Sequence, residues 1–426
     1  MNHSLDQLPR WLAAVMTLLL CLAGRPAWAA IDGITGPVFN LTARADYIST
    51  ADGDSIYNWG YANGAGAMQY PGPTLIVNQG DTVTVNLANT LPVPVSIVFP
   101  GQQGVTSTGG TPGLLTREAA PGQTVTYTLT ATHAGTYQYH SGTQPALQVE
   151  MGLQGALIVR PSGVADPLHQ AYAHPGTAFS REYLFLLTEI DPLIHQQVAA
   201  QVGAGVPVSV DTSVYKPVLW FINGRSAPDT MLDAGVAWLP TQPYNCMPRM
   251  HPGEKLLMRV IGGGRDLHPF HTHGNNFWVL ARDGRVLESA PGAGPDLAFS
   301  DFTLRTVPGE TYDATFEWTG KGLGWDVYGH APGDPLAPNE HAADHGKPFP
   351  VVLPNLQDIT VGQHYSGSPY LGTFGTLPPG SVVLNENAGY FHMWHSHNER
   401  EIVNNDIFPG GMMTMLIIEP ANVPIP

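Results

Sequence analysis

The sequence predicts an all-β protein assembled from antiparallel sandwiches, and three observations carry that prediction. Short runs such as TLIVNQGDTVTVNLANTLP alternate apolar and polar residues, with Val83, Val85 and Leu87 on one side and Thr82, Thr84 and Asn86 on the other. That period of two is the pattern of a strand with one buried face. Gly 48 and Pro 39, with charged residues at only 12%, disfavour long helices and coiled coils, while 43% hydrophobic content is ordinary for a globular chain and far too rich for disorder. Finally, AGTYQYHSG followed by GLQGALIVRP is echoed later by AGYFHMWHSH followed by GGMMTMLIIEP, as two copies of one sandwich unit would be.

A chain of 426 residues is long enough for two or three domains. Residues 1–29 read as an export signal. Arg10 precedes the apolar run Trp11 to Gly24, and Ala27-Trp28-Ala29 has the small-residue cleavage pattern, so the mature protein is expected to begin near Ala30. The apolar run is short of the roughly 20 residues of a membrane span. Strand follows strand over 30–162, the first expected domain. A patternless stretch at 163–180 reads as a linker. The second domain, 181–426, opens with REYLFLLTEI and closes with GGMMTMLIIEP, and it carries a Gly/Pro-rich insertion at about 330–380.

Lys+Arg 18 against Asp+Glu 34 gives a net charge of −16, which argues against nucleic acid or an anionic membrane as partner. The expected address is periplasmic or secreted. Of the two cysteines, Cys21 falls in the signal, so the mature chain keeps one thiol, Cys246, and no internal disulfide.

Histidine placement carries the chemistry. His140 ends YQYHSG; His268, His271 and His273 lie in HPFHTHG; His392, His395 and His397 lie in FHMWHSH. On a strand, side chains two apart share a face at about 6 to 7 Å. His271/His273 and His395/His397 can therefore each present two imidazoles to one region, a spacing that suits copper or zinc. His392, three residues before His395, faces the other way. His341 and His345, in the insertion, read as a solvated loop. Cys246, close to Met247, Met250 and His251, reads as a buried thiol, and Met412, Met413 and Met415 as core with a possible taste for copper(I). No G-x-S-x-G elbow supports serine hydrolysis.

The same segments resemble the multicopper oxidases. GPTLIVNQGDTVTVNLANTLPVPVSIVFPGQ and AGTYQYHSGTQPALQVEMGLQGALIV are similar to the first and second copper motifs of that family, DLHPFHTHGNNFWVLARDG to the third, and GYFHMWHSHNE with GGMMTMLIIEP to the fourth. The resemblance implies tandem cupredoxin-like Greek-key β-sandwiches and copper as cofactor. It also implies that His268 stands at the mononuclear position and that His140, His271, His273, His395 and His397 stand at cluster positions.

The departures from the pattern are equally specific. Val98-Phe99-Pro100 replaces the first His-x-His, Gly142 replaces the second histidine of the second motif, Ser396 replaces the thiolate cysteine and Glu401 a later histidine; Met412 or Met413 is left as a possible axial residue. Without a thiolate the centre should not be blue. The expectation is an exported copper protein with its site at the interface of the two domains, oxidising a metal ion or small reductant with dioxygen. The alternatives are a non-catalytic copper protein for storage, delivery or tolerance, and a metal-free module whose histidines hydrogen-bond one another. Assembly as a homo-oligomer, a trimer by resemblance, is a further expectation.

Overall fold

A computed structural model describes residues 31–331, 333–348, 367–368, 389–421 and 423–425. The expected export signal and most of the expected insertion lie outside these residues.

The principal strands of the first half are β1 (Val38–Ser49), β2 (Ser55–Asn63), β3 (Gly72–Asn78), β4 (Thr82–Asn89), β5 (Thr124–Thr130), β6 (Gly135–His140) and β7 (Gln154–Arg160). They form two sheets. One is ordered β2-β1-β4-β5 with Thr106–Gly109 at its edge, and the other runs from Ile34–Thr35 through β3 and β7 to β6. The non-sequential neighbours, with β7 parallel to β3 and antiparallel to β6, are those of a Greek-key sandwich. Val83, Val85 and Leu87 lie in the core between the two sheets, with Tyr127, Tyr137, Tyr139, Leu157 and Val159.

The second half contributes β8 (Arg181–Ile190), β9 (Leu219–Ile222), β10 (Lys255–Gly262), β11 (His268–Thr272), β12 (Phe277–Arg282), β13 (Thr303–Thr306), β14 (Thr311–Glu317), β15 (Tyr390–Ser396) and β16 (Met413–Ile418). One sheet runs β9-β8-β10-β14-β12, and the other runs from Arg249–Met250 through β16, β15 and β11 to β13. Phe185, Met258, Val260 and Phe316 of the first meet Phe270, Trp394, Leu416 and Ile418 of the second in a common core.

The two sandwiches also pack on each other. Ala156 and Ile158 point away from the first core and join Leu184, Leu186 and Ile261 in a separate apolar cluster. Around it lies a buried ionic network. Glu182 accepts from Arg259 Nε at 2.8 Å and from both terminal nitrogens of Arg160, and Asp313 accepts from Thr136 at 2.6 Å and Tyr172 at 2.5 Å. The four sheets therefore stack as consecutive layers, with β11, β15 and β16 in the outermost.

One element was not anticipated from the sequence. Pro192–Gly203 is a helix, with Asp191 accepting from the Leu193 N–H at its start and Pro192 in its first turn. It rests on the first sandwich through Ile194 and Val198 and through His195, whose ring nitrogens reach the Tyr57 carbonyl at 2.7 Å and the Glu150 carbonyl at 3.1 Å.

Candidate metal centre

Strand alternation sorts the histidines of β11 and β15 onto two faces. In β11, His268 and Phe270 share the face turned to the core, and His271 takes the opposite one, where it is paired in register with His395 of β15. His273 and His397, each two residues further on, extend the same outward pairs.

On the outer face the four rings form a compact quartet. His271 lies 4.7 Å from His273, 5.5 Å from His395 and 4.8 Å from His397, centroid to centroid, and His273 lies 5.0 Å from His395. One nitrogen from each of His271, His273 and His395 falls within 4.8 Å of the others. The Nε2 atoms of His395 and His273 are 3.2 Å apart. Two nitrogens bound to one metal at about 2.0 Å and a tetrahedral angle would be about 3.3 Å apart, so this pair already has the spacing of ligands to a common ion.

The rings are also oriented as ligands are. His395 Nδ1 lies 2.6 Å from the Ser396 carbonyl, which can only accept, so Nδ1 carries the proton and Nε2 presents its lone pair. His271 Nδ1 is held by the Thr303 hydroxyl at 2.7 Å. Burial, reinforced by the neighbouring His395 and His397, pushes the His271 pKa down to about 4. Burial likewise lowers that of His395. Imidazoles kept neutral are what zinc and copper require. His271, His273 and His395 are buried while His397 is exposed, so the quartet has one open side. Met413, paired in register with His395, shares its face, whereas Met412 lies in the core.

On the inner face stands a different arrangement. His268, fully buried, has Nε2 2.9 Å from Glu189 and Nδ1 2.9 Å from Glu401. Glu401 also accepts from the Ser396 hydroxyl at 2.6 Å and from Asn398 at 2.9 Å, and Glu189 from Tyr215 at 2.9 Å and the backbone of Asp266 at 3.0 Å. Burial alone would lower the His268 pKa, but the two carboxylates raise it to about 9. Burial pushes the Glu189 carboxyl up, but His268 together with the Arg265 N–H and the Tyr215 hydroxyl holds it below the ordinary range. His268 is thus an imidazolium clamped between two carboxylates. Expected as a metal ligand, it has both nitrogens committed elsewhere.

His140 does not join the quartet either. It ends β6, and the face it shares with Thr136 and Gln138 is turned toward the second sandwich, because Tyr137 and Tyr139 fill the first core. Its Nδ1 donates to the Ser141 carbonyl at 2.9 Å, and burial lowers its pKa. The quartet sits on the far side of the outermost layer, so the expected location at the interface between the two sandwiches is corrected by the alternation of β11. Cys246 takes no part: it is buried, its thiol donates to the Ile222 carbonyl at 2.9 Å, and burial pushes its pKa up to about 12.

Glu189 and Tyr215 were not singled out from sequence. A carboxylate near the end of the apolar run REYLFLLTEI was the available signal for the first, since a charge there needs a partner. A second group, Asp326, His330, Glu340 and His345, comes together in the segment read as a solvated loop.

Two Greek-key sandwiches in tandem, with imidazoles grouped on adjacent strands, define a cupredoxin-type protein. A multicopper oxidase family model matches residues 61–163. The multicopper oxidase MCE of Talaromyces pinophilus is 32% identical over 149 residues, 34% of this chain and 23% of that one. An L-ascorbate oxidase of Cucumis sativus is 39% identical over 105 residues, 24% of this chain and 18% of that one. The matched segments thus span less than a quarter of those relatives. The fold is shared more widely: a blue copper oxidase from Nitrosomonas europaea superposes with a TM-score of 0.56 at 21% identity, covering 89% of this chain and 85% of that one. The structure of the multicopper oxidase mgLAC gives 0.58 at 19%, covering 91% and 87%. Residues 61–163 thus match a multicopper oxidase model, and over most of its length the chain shares the cupredoxin-like fold of those structures.

Proposed function

We propose that the chain is an exported copper protein that holds its metal on His271, His273, His395 and His397 and uses it to oxidise a metal ion or small reductant with dioxygen. The observation that carries this reading is the convergence of three imidazole nitrogens within 4.8 Å, with an exposed fourth imidazole beside them. Bound copper would supply one-electron redox chemistry at that place. The protein's part is to keep His271 and His395 unprotonated, to fix His395 through the Ser396 carbonyl and His271 through Thr303, and to leave the His397 side open to reductant. The inner network offers no thiolate through which electrons could pass, so a reductant would have to reach bound copper at the open His397 side.

A non-catalytic role in copper storage, delivery or tolerance is favoured by one observation: an ion pair fills the position where an electron-entry centre would stand. Copper-reconstituted, dialysed protein separates the readings. Retained copper with no intense band near the blue-copper region, and oxygen uptake lost in His397→Ala, supports the oxidase. Retained copper without turnover above free copper supports storage. Protein that retains no copper rules out both.

A further inference from the structure

The segment that follows β14 contains a second set of metal-type donors, unrelated to the quartet. The described residues of 319–348 have turns but no strand, yet Leu323, Trp325, Val327 and Tyr328 are buried in the second core. Between those anchors and the turn at 340–347, one ligand-type atom from each of Asp326, His330, Glu340 and His345 lies within 4.8 Å of all the others. His330 Nδ1 stands 2.8 Å from Asp326 Oδ2 and 3.3 Å from Glu340 Oε1, and His345 Nδ1 stands 2.8 Å from the same Glu340 oxygen. We infer that these four side chains bind a divalent cation of the zinc type, which clips the loop onto the second sandwich.

The far side of three of the four ligands is occupied in the way metal ligands are held. His345 Nε2 lies 2.9 Å from the Asp334 carbonyl and must donate to it. Nδ1 is then the nitrogen turned toward the Glu340 carboxylate, and a shared cation would join the two. Asp326 is oriented by the Tyr328 N–H at 2.9 Å and the Gly346 N–H at 2.8 Å, and Glu340 by the Ala337 N–H at 2.7 Å.

Charge gives the second, independent indication. Asp344 is 7% exposed, lines the same small cavity as Asp326 and Glu340, and its Oδ2 has no hydrogen-bond partner among the described residues. A buried carboxylate oxygen left bare beside two further carboxylates is costly unless positive charge is at hand. The nearest amino group, Lys347 Nζ, stands 3.8 Å from the other oxygen. Two imidazole nitrogens and two carboxylate oxygens, with a third carboxylate behind them, are donors for a four-coordinate dication. With no redox demand and no open site, zinc fits better than copper.

The test uses the full chain, stripped with a chelator and titrated with zinc chloride. His271→Ala/His395→Ala disables the quartet, and this background should still hold one zinc per chain after dialysis. Adding Glu340→Gln, nearly isosteric and so safe for the fold, should weaken that zinc by at least about tenfold. Adding His330→Ala/His345→Ala should remove it. In the otherwise unaltered chain, zinc should slow proteolysis within 319–348, and Glu340→Gln should abolish the protection. Zinc retention equal with and without Glu340→Gln and His330→Ala/His345→Ala, or no zinc in the quartet-free background together with no protection in the unaltered chain, would overturn the inference.

Discussion

His268 shows how neighbouring side chains set the character of a histidine. With Ser396 and Glu401 beside it, the interior of the second sandwich holds a proton between carboxylates. The sign of its pH dependence follows from the shift. The folded pKa, about 9, lies above the usual 6.5. The stabilisation is fully present below about pH 6.5 and is lost as pH rises through about 9. The denaturant midpoint should therefore fall between pH 6.5 and 9, and His268→Gln should flatten that slope. A slope unchanged in the variant would show that other groups set it. Removing His268 leaves two buried carboxylates without their cation, which should cost on the order of 3–5 kcal/mol at neutral pH.

The strands β11 and β15 explain both what the sequence revealed and what it concealed. Period-two alternation was enough to pair His271 with His273 and His395 with His397, and the structure places all four together. The same rule, applied one step further, separates His268 from His271, an odd spacing that puts them on opposite faces. Resemblance grouped His140 with the others because motifs carry no record of which face of which layer they occupy. Glu189 and Tyr215 escaped because their partners are distant in sequence: His268 lies 79 positions from Glu189. The helix Pro192–Gly203 was legible in Asp191-Pro192 but was overshadowed by the strand patterns around it; Asp191→Ala should cost about 1 kcal/mol, read as a drop in thermal midpoint. For the quartet, the depressed His271 and His395 pKa values mean that copper should be retained unchanged from pH 7 to 5.5 and released only as pH falls toward about 4. Loss centred near the ordinary histidine value, measured as copper per chain after dialysis, would contradict the neutral-imidazole account.

Among the described residues, the two sandwiches depend on each other where the inner sheets meet, through the cluster around Ile158 and Ile261 and a second one joining Ile48 and Tyr70 to Leu219 and Phe221. Glu182 there stands between two guanidinium groups, Arg160 and Arg259, all three buried. Neutralising it leaves Arg160 without its carboxylate and Arg259 with Asp313 alone. Glu182→Gln should lower stability by about 3–5 kcal/mol, and loss of the docked state should appear as separate unfolding transitions for the two sandwiches. A single, unshifted transition would mean that the apolar cluster of Ala156, Ile158 and Ile261 suffices.

The position of the quartet has a consequence for how the protein comes to carry metal. A centre wedged between sandwiches must be filled as they close, so that loading and folding are one event. Here the ligands lie on the outer face of the last layer, beyond the core that β11 and β15 complete with Phe270 and Trp394. The chain can finish folding empty, meet its ion later, and give it up again without parting its layers. On the proposed reading, an ion bound there would be exchangeable.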